Sequence, residues 1–236
     1  MTRGLRAAAA GMSVQLHRQD VHANNLANAS TVGFRRSEAA VGGFGQALAA
    51  AGGAASVTPA DRATVVDVTQ GPIHETGNAF DLALDGPGMF AVLTPSGTFY
   101  TRDGRFRLAE GGALLTIGGH QVMGRGGPIT LPGDELLVTE SGQVFSEGQY
   151  VDDLFIAQFD GPEQLTRTAD GLFDVAGGPR ISDAARVRQG CLEEANVSVV
   201  REMAQMISGL RAFEAGAAVL RVSDQSLSSL IEATRP

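Results

Sequence analysis

The stretch VVREMAQMISGLRAFEAGAAVLRVSDQSLSSLIEA at 199–233 decides the reading of the fold. Val199, Met203, Met206, Leu210, Phe213, Ala217, Leu220, Asp224, Leu227 and Ile231 recur at alternating four- and three-residue steps, and Asp224 is the single polar member. That spacing keeps one face of an α-helix apolar throughout, as in a heptad seam. Asn196 or Ser198 is placed to cap the helix, and Glu202 falls in its first turn, where a carboxylate meets the positive end of the dipole. At about 1.5 Å per residue the helix would run about 50 Å. Ile207, Ala218 and Val222 widen the apolar face, which implies more than one neighbour.

The intrachain partner is expected at the other end of the chain. Leu5, Ala9, Met12, Leu16, Gln19, Ala23 and Leu26 keep the same alternation, six of the seven being apolar. This first helix runs out at 28–33 in Asn, Ser, Thr and Gly, residues that favour caps and turns over helix interiors. Pairing the two helices as a coiled coil would bring the termini together. The expected fold class is therefore α+β: a discontinuous helical domain from 1–36 and 196–236, a Gly/Ala-rich linker and extended segment at 37–72, and a β-rich outer domain at 73–195.

Short apolar runs broken by turn residues fill the middle. They fall at 89–93, 99–102, 105–108, 114–117, 121–123, 136–139, 144–146, 154–159 and 172–175. Pro95-Ser96-Gly97, Asp103-Gly104, Glu110-Gly111-Gly112 and Gly118-Gly119 separate the first of them, and Asp-Gly between alternating residues is the strongest short hairpin signal. An antiparallel, meander-rich β domain is predicted.

Composition narrows the chemistry. All 18 basic residues are Arg, which excludes lysine Schiff bases and the P-loop lysine. Residues 1–36 carry five Arg against Asp20, a net of +4, while 37–195 carry nine Arg against 21 acids, a net of −12. The acidic middle argues against a nucleic-acid surface. Cys191 is the single cysteine, so neither an intrachain disulfide nor a cysteine metal cage is available. No apolar run approaches the roughly 20 residues of a membrane span. Arg3, Arg6 and the alanines at 7–10 imitate a secretory signal, but His17, Arg18, Gln19 and Asp20 interrupt any apolar region, so the N-terminus is expected to be retained.

Candidate catalytic sites are poor. Of His17, His22, His74 and His120, the nearest pair does not share a helix face well, and HExxH and G-x-S-x-G are both missing. Gly118, Gly119, Gly124, Gly126 and Gly127 could suggest a phosphate cradle, but they lie between predicted strands without the helix N-terminus that would bind the anion, and hairpin turns explain them better. No cofactor or metal is implied.

The most specific signal is NNLANASTVGFRR at 24–36, preceded by Ala10-Gly11-Met12. It closely resembles the A-N-N-L-A-N-x-x-T-x-G-F-[KR] signature of the bacterial flagellar rod and hook proteins. The likeness continues in order along the chain. TGNAFDLALDGPGMF at 76–90, with Ala79 and Pro87 as departures, resembles the family's T-G-N-x-x-D-L-A-I-x-G-x-G-F-F segment. YTRDGRF at 100–106 resembles Y-T-R-x-G-x-F, and QGCLEEANV at 189–197 resembles Q-G-x-L-E-x-S-N-V, leading to Glu202-Met203 and RAFE at 211–214. The chain is short for a hook protein, which carries a further outer domain, and somewhat short for a distal rod member. GHQVMG at 119–124 followed by GPI at 127–129 is similar to the proximal rod branch.

The resemblance implies a structural subunit of the basal-body rod, proximal before distal, that polymerises through its terminal helices. Asn24, Asn25, Leu26, Asn28, Thr31, Gly33 and Phe34 would shape and pin the exit from the first helix. Leu5, Met12, Leu16 and Leu26 with Val199, Met203, Met206, Leu210, Phe213, Leu220, Leu227 and Ile231 would carry assembly. Implied partners are other copies, other rod proteins, the flagellar export apparatus and the surrounding rings; neither nucleic acid nor membrane insertion is implied. The location would be the periplasmic rod, reached by flagellar export without a cleaved signal peptide. Ordering a helix costs on the order of 1–2 kcal/mol per residue in backbone entropy, so the helical ends are expected to be largely disordered in a free monomer and to fold on joining the rod. Rival readings are a secreted β-domain adhesin, which would fold and bind a ligand without polymerising, and a hydrolase built on paired carboxylates, which needs a cleft and perturbed acids.

Overall fold

The computed structural model describes residues 2–39, 64–159, 161, 165–168, 170–175, 180–182 and 184–233. The Gly/Ala-rich stretch read as a linker at 41–60 lies outside them. Two compact units are present: Met1–Ala27, Ser37–Val65 and Ser198–Pro236 form one, and Asn28–Arg36 with Val66–Val197 forms the other.

The first unit is built on α1 (Thr2–Ala27) and α2 (Val199–Ala233), with β1 (Ser37–Ala39) beside the end of α1 and paired with β2 (Thr64–Val66). The expected coiled coil is not what forms. Knobs-into-holes packing would bury the heptad residues, yet Leu16, Val199, Met203 and Leu210 are exposed. While Met206, Phe213 and Leu220 of the expected seam are half-buried, the contacts of α2 with α1 include Glu202, joined to His22, Gly209 against Gln15 and Gln19, and Gly216 against Met12. At about 100° per residue these positions lie roughly 60° around α2 from the predicted seam. Small and polar residues permit the close approach there, and the broad apolar stripe of Val200, Met203, Ile207 and Leu210 is left facing outward.

The second unit contains the remaining strands. β5 (Met89–Thr94) lies at its centre. One edge pairs with β6 (Gly97–Thr101) through the two-residue loop Pro95-Ser96. The other edge is shared by β9 (Gln121–Val122) and β13 (Ile156–Gln158). β8 (Leu114–Thr116) and β7 (Phe106–Leu108) extend the sheet beyond β9; β15 (Phe173–Val175) and β14 (Leu165–Arg167) extend it beyond β6; β16 (Arg180–Ile181) adds to β13. Both faces of β5 are covered. Phe90 packs with Leu82, Leu84, Phe106, Leu114, Val122 and Ile156 on one side, and Met89 and Ala91 pack with Tyr100, Ala157, Leu165 and Phe173 on the other. Double burial explains why MFAVL is continuously apolar rather than alternating.

A separate three-stranded sheet is formed by β10 (Leu137–Val138), β11 (Gln143–Ser146) and β12 (Gln149–Asp153). Two long-range ladders complete the unit: β17 (Arg186–Gln189) on β4 (Leu82–Asp85), and β18 (Cys191–Glu193) on β3 (Ile73–Glu75). The strand pairings of this unit are antiparallel among the described residues.

Asp103-Gly104 departs from its hairpin reading. β6 pairs with β5 and β15, and β7 pairs with β8, so the dipeptide joins strands that are not neighbours. Gly104 is instead needed because its backbone passes against that of Leu82, where a Cβ would overlap the Leu82 carbonyl. Its carbonyl accepts the Leu82 N–H at 3.0 Å.

Candidate functional site

The signature at 24–36 divides between the two units, and each half builds its own polar centre. In the helical unit, Asn25 is fully buried near the end of α1. Its amide bonds the backbone of Ser37 twice: Nδ2 donates to the carbonyl at 2.8 Å and Oδ1 accepts from the N–H at 2.9 Å. The side chain thereby acts as a ladder partner for the first residue of β1. Its Nδ2 also lies 3.4 Å from Oε2 of Glu202, which is 2.6 Å from Nδ1 of His22. Glu202 stands in the first turn of α2 as expected, and its side chain is completely buried and engaged with α1.

In the β unit the centre is Glu193. Its side chain is 0% exposed and receives Arg35 Nη1 on Oε1 at 2.7 Å and Arg102 Nε on Oε2 at 2.7 Å. The Gly71 N–H adds a third donor at 2.8 Å, and the Glu193 carbonyl accepts the Gly33 N–H at 2.7 Å. Arg102 also donates to the carbonyls of Gly88 at 2.6 Å and Gly86 at 2.7 Å, tying down the turn between β4 and β5. Arg35 donates to the Thr69 carbonyl at 2.7 Å. Burial lowers the pKa of both guanidinium groups against the opposing pull of Glu193; Arg102 comes down to about 10 and so remains a cation at neutral pH.

The signature residues lock onto this centre. Gly33 has φ +68°, and a Cβ there would overlap the Arg102–Asp103 peptide. Thr31 N–H donates to the Asn28 carbonyl at 3.0 Å and Phe34 N–H to the Thr31 carbonyl at 3.2 Å, which winds the turn. The Phe34 ring lies 4.1 Å below the guanidinium of Arg167, whose Nη2 donates to the Arg35 carbonyl. Burial also lowers the pKa of Arg167. Asn196, read as a candidate helix cap, instead staples three segments of the β unit. Its Oδ1 accepts from Arg36 N–H at 2.6 Å, and its Nδ2 donates to the carbonyls of Asp67 at 3.0 Å and Thr69 at 2.9 Å.

The structure therefore brings Asn25 together with His22 and Glu202, and Gly33 and Phe34 together with Arg35, Arg102, Glu193 and Asn196. Asn24 lies on the exposed side of α1, and Leu26 is half-buried. Met12, Met206, Phe213 and Leu220 are also half-buried, whereas Leu16, Val199, Met203 and Leu210 stay exposed; Leu5, Leu227 and Ile231 fall within the bounds of α1 and α2. His22, Arg102, Glu193 and Glu202 were not singled out as site residues. Glu193, Asn196 and Glu202 do stand inside quoted motifs, which is the signal that could have found them. Among the described residues no group of three or more His, Cys, Asp or Glu is placed to hold a metal ion, and no helix is long and apolar enough to cross a membrane.

This geometry is a splice, in which distant segments are held by buried charges and side-chain-to-backbone bonds. Comparison with known proteins gives it a context. Residues 5–35 match the family model described as flagella basal body rod protein. Residues 83–146 match the flagellar hook protein FlgE/F/G D1 domain, and 188–233 the flagellar basal body rod FlgEFG protein C-terminal. The chain is 38% identical to the flagellar basal-body rod protein FlgF of Mesorhizobium japonicum, covering 92% of this chain and 90% of that protein. It belongs to the flagellar basal-body rod protein family. A second FlgF, from Rhizobium meliloti, is 34% identical over 98% of both chains. FlgG of Borreliella burgdorferi is 30% identical over 96% of this chain and 97% of its own. That FlgG alignment runs to 259 positions against the 236 residues here, so the FlgG relative carries residues that this rod-family chain lacks.

Proposed function

We propose that the chain is a structural, non-enzymatic subunit of the flagellar basal-body rod, in the proximal position that FlgF occupies. The observation that carries the reading is full-length similarity to FlgF relatives at 38% and 34% identity. The outward apolar stripe of α2 supports it, with Val200 79% and Ile207 56% exposed. Such a stripe needs covering, and neighbouring copies or other rod proteins of the axial polymer would cover it through a contact that does not close on itself. In this reading the signature residues are architectural, and Val199, Met203 and Leu210 act between subunits. The export apparatus and the surrounding rings are further partners, with delivery to the periplasm without a cleaved signal. A distal rod position is the second reading, favoured by the FlgG relatives.

The test is deletion of the gene in its motile host, with basal bodies imaged afterwards. Rods interrupted at their base, restored by the wild-type gene, are expected; complete basal bodies without the protein would refute the assignment.

A further inference from the structure

The three-stranded sheet β10–β11–β12 carries a feature that the splice and the helices leave unused. Leu137 is directly opposite Phe145, and Phe145 directly opposite Tyr150, so three large side chains form one continuous row across the strands. Neighbouring strands are about 4.8 Å apart, so the row is about 10 Å wide. The opposite face is fully buried through Val138, Val144 and Ser146. Leu137 and Tyr150 are each 54% exposed, and Phe145 meets Tyr150 edge-on with ring centroids 5.7 Å apart. The turn joining β11 to β12 is a two-residue hairpin loop of the primed type, with Glu147 at φ +49° and Gly148 at φ +75°.

Charge says what covers the row. From 132 to 153 the sequence has six acids and no basic residue; Glu140 lies 3.5 Å from Arg186 and Asp153 3.9 Å from Arg125, so the uncompensated charge rests on Asp134, Glu135 and Glu147. Asp134, Glu135 and Glu147 are exposed, and no ion pair among the described residues reaches them. An aromatic row on a sheet that also carries exposed, unpaired carboxylates attracts Arg and Lys twice over, through the ring faces and through the carboxylates. Two copies meeting through this same face would set acid against acid, which disfavours self-pairing. We propose that the Leu137–Phe145–Tyr150 face is a docking surface for a different protein that presents Arg or Lys side chains around an apolar anchor. This goes beyond the rod reading and does not rest on it, because the face lies wholly within the β unit.

The test places a photo-crosslinking benzoylphenylalanine at Leu137 in the full chain, expressed in its host, with a matched control at the exposed Ile117. Mass spectrometry of the adducts then identifies the site of attachment. The expected result is an adduct at Leu137 but not at Ile117, mapping to a surface rich in Arg or Lys on another protein. Its yield should fall at least about tenfold in the Glu135→Lys, Glu147→Lys variant, with folding checked by circular dichroism. No adduct, attachment to another copy of this chain, attachment to a surface lacking basic residues, or a yield unmoved by charge reversal in a folded variant would each overturn the proposal.

Discussion

Glu193 sets one carboxylate against two buried guanidinium groups, with further donors taken by the carbonyls of Thr69, Gly86 and Gly88, while Arg35 Nε is buried without a hydrogen-bond partner among the described residues. Glu193→Gln keeps the shape but removes the counter-charge, leaving Arg35 and Arg102 as buried cations. Removing one member of a buried ion pair costs about 3–5 kcal/mol. A thermal melt of the full chain should therefore fall by roughly 6–20 °C, at about 2–4 °C per kcal/mol for a protein of this size; an unchanged melt would show that the charge balance is held elsewhere. Gly33 offers a matched comparison. Gly33 and Gly119 both have positive φ, at +68° and +83°, but only Gly33 faces a neighbour that a Cβ would overlap, while Gly119 has nothing within 4 Å. Both alanine variants should lose roughly 1–2 kcal/mol of stability to left-handed strain. Gly33→Ala should lose a further ~1–3 kcal/mol of stability to overpacking, read as a lower urea midpoint than Gly119→Ala.

At the scale of elements, the outward stripe of α2 predicts a separation of stability from assembly. Ile207→Glu replaces a side chain already 56% exposed, so the isolated protein should keep its stability to within about 0.5 kcal/mol. Rod assembly, scored by complementation of the deletion strain, should fail; normal motility would remove the stripe from the interface. Amide exchange on the isolated protein should show weak protection along 199–231 compared with β5, because an uncovered apolar face contributes little to offset backbone entropy. Much at this scale was legible in the sequence. The period of three and four gave both helices, and the continuous run MFAVL gave the central strand. The rotation of α2 was not legible, since Gly209 and Gly216 are seven residues apart and mark a second stripe that an apolar count passes over. Asp103-Gly104 misled because a glycine demanded by close approach to Leu82 looks the same as one demanded by a turn. The Arg35–Glu193–Arg102 centre was hidden for a different reason. Its partners lie 91 or more residues apart, and an isolated Arg or Glu reads as a solvated charge until the fold buries it.

For the molecule as a whole, the decisive pairings are those made last along the chain. β17 and β18 at 186–193 close on β4 and β3 at 73–85, and Glu193 stands at the end of that closure. A chain truncated after Ala184 should therefore lose the cooperative unfolding transition of the β unit in calorimetry, although every strand from β5 to β15 is still encoded. A residual sharp transition would show that the central sheet is self-sufficient. Contacts of such large sequence separation make folding slow. A chain moving N-terminus first, through a ribosome or any narrow conduit, has no complete β unit to fold until residue 193 emerges. The topology thus works as a timer: the order of residues along the chain keeps the protein threadable until almost all of it has passed.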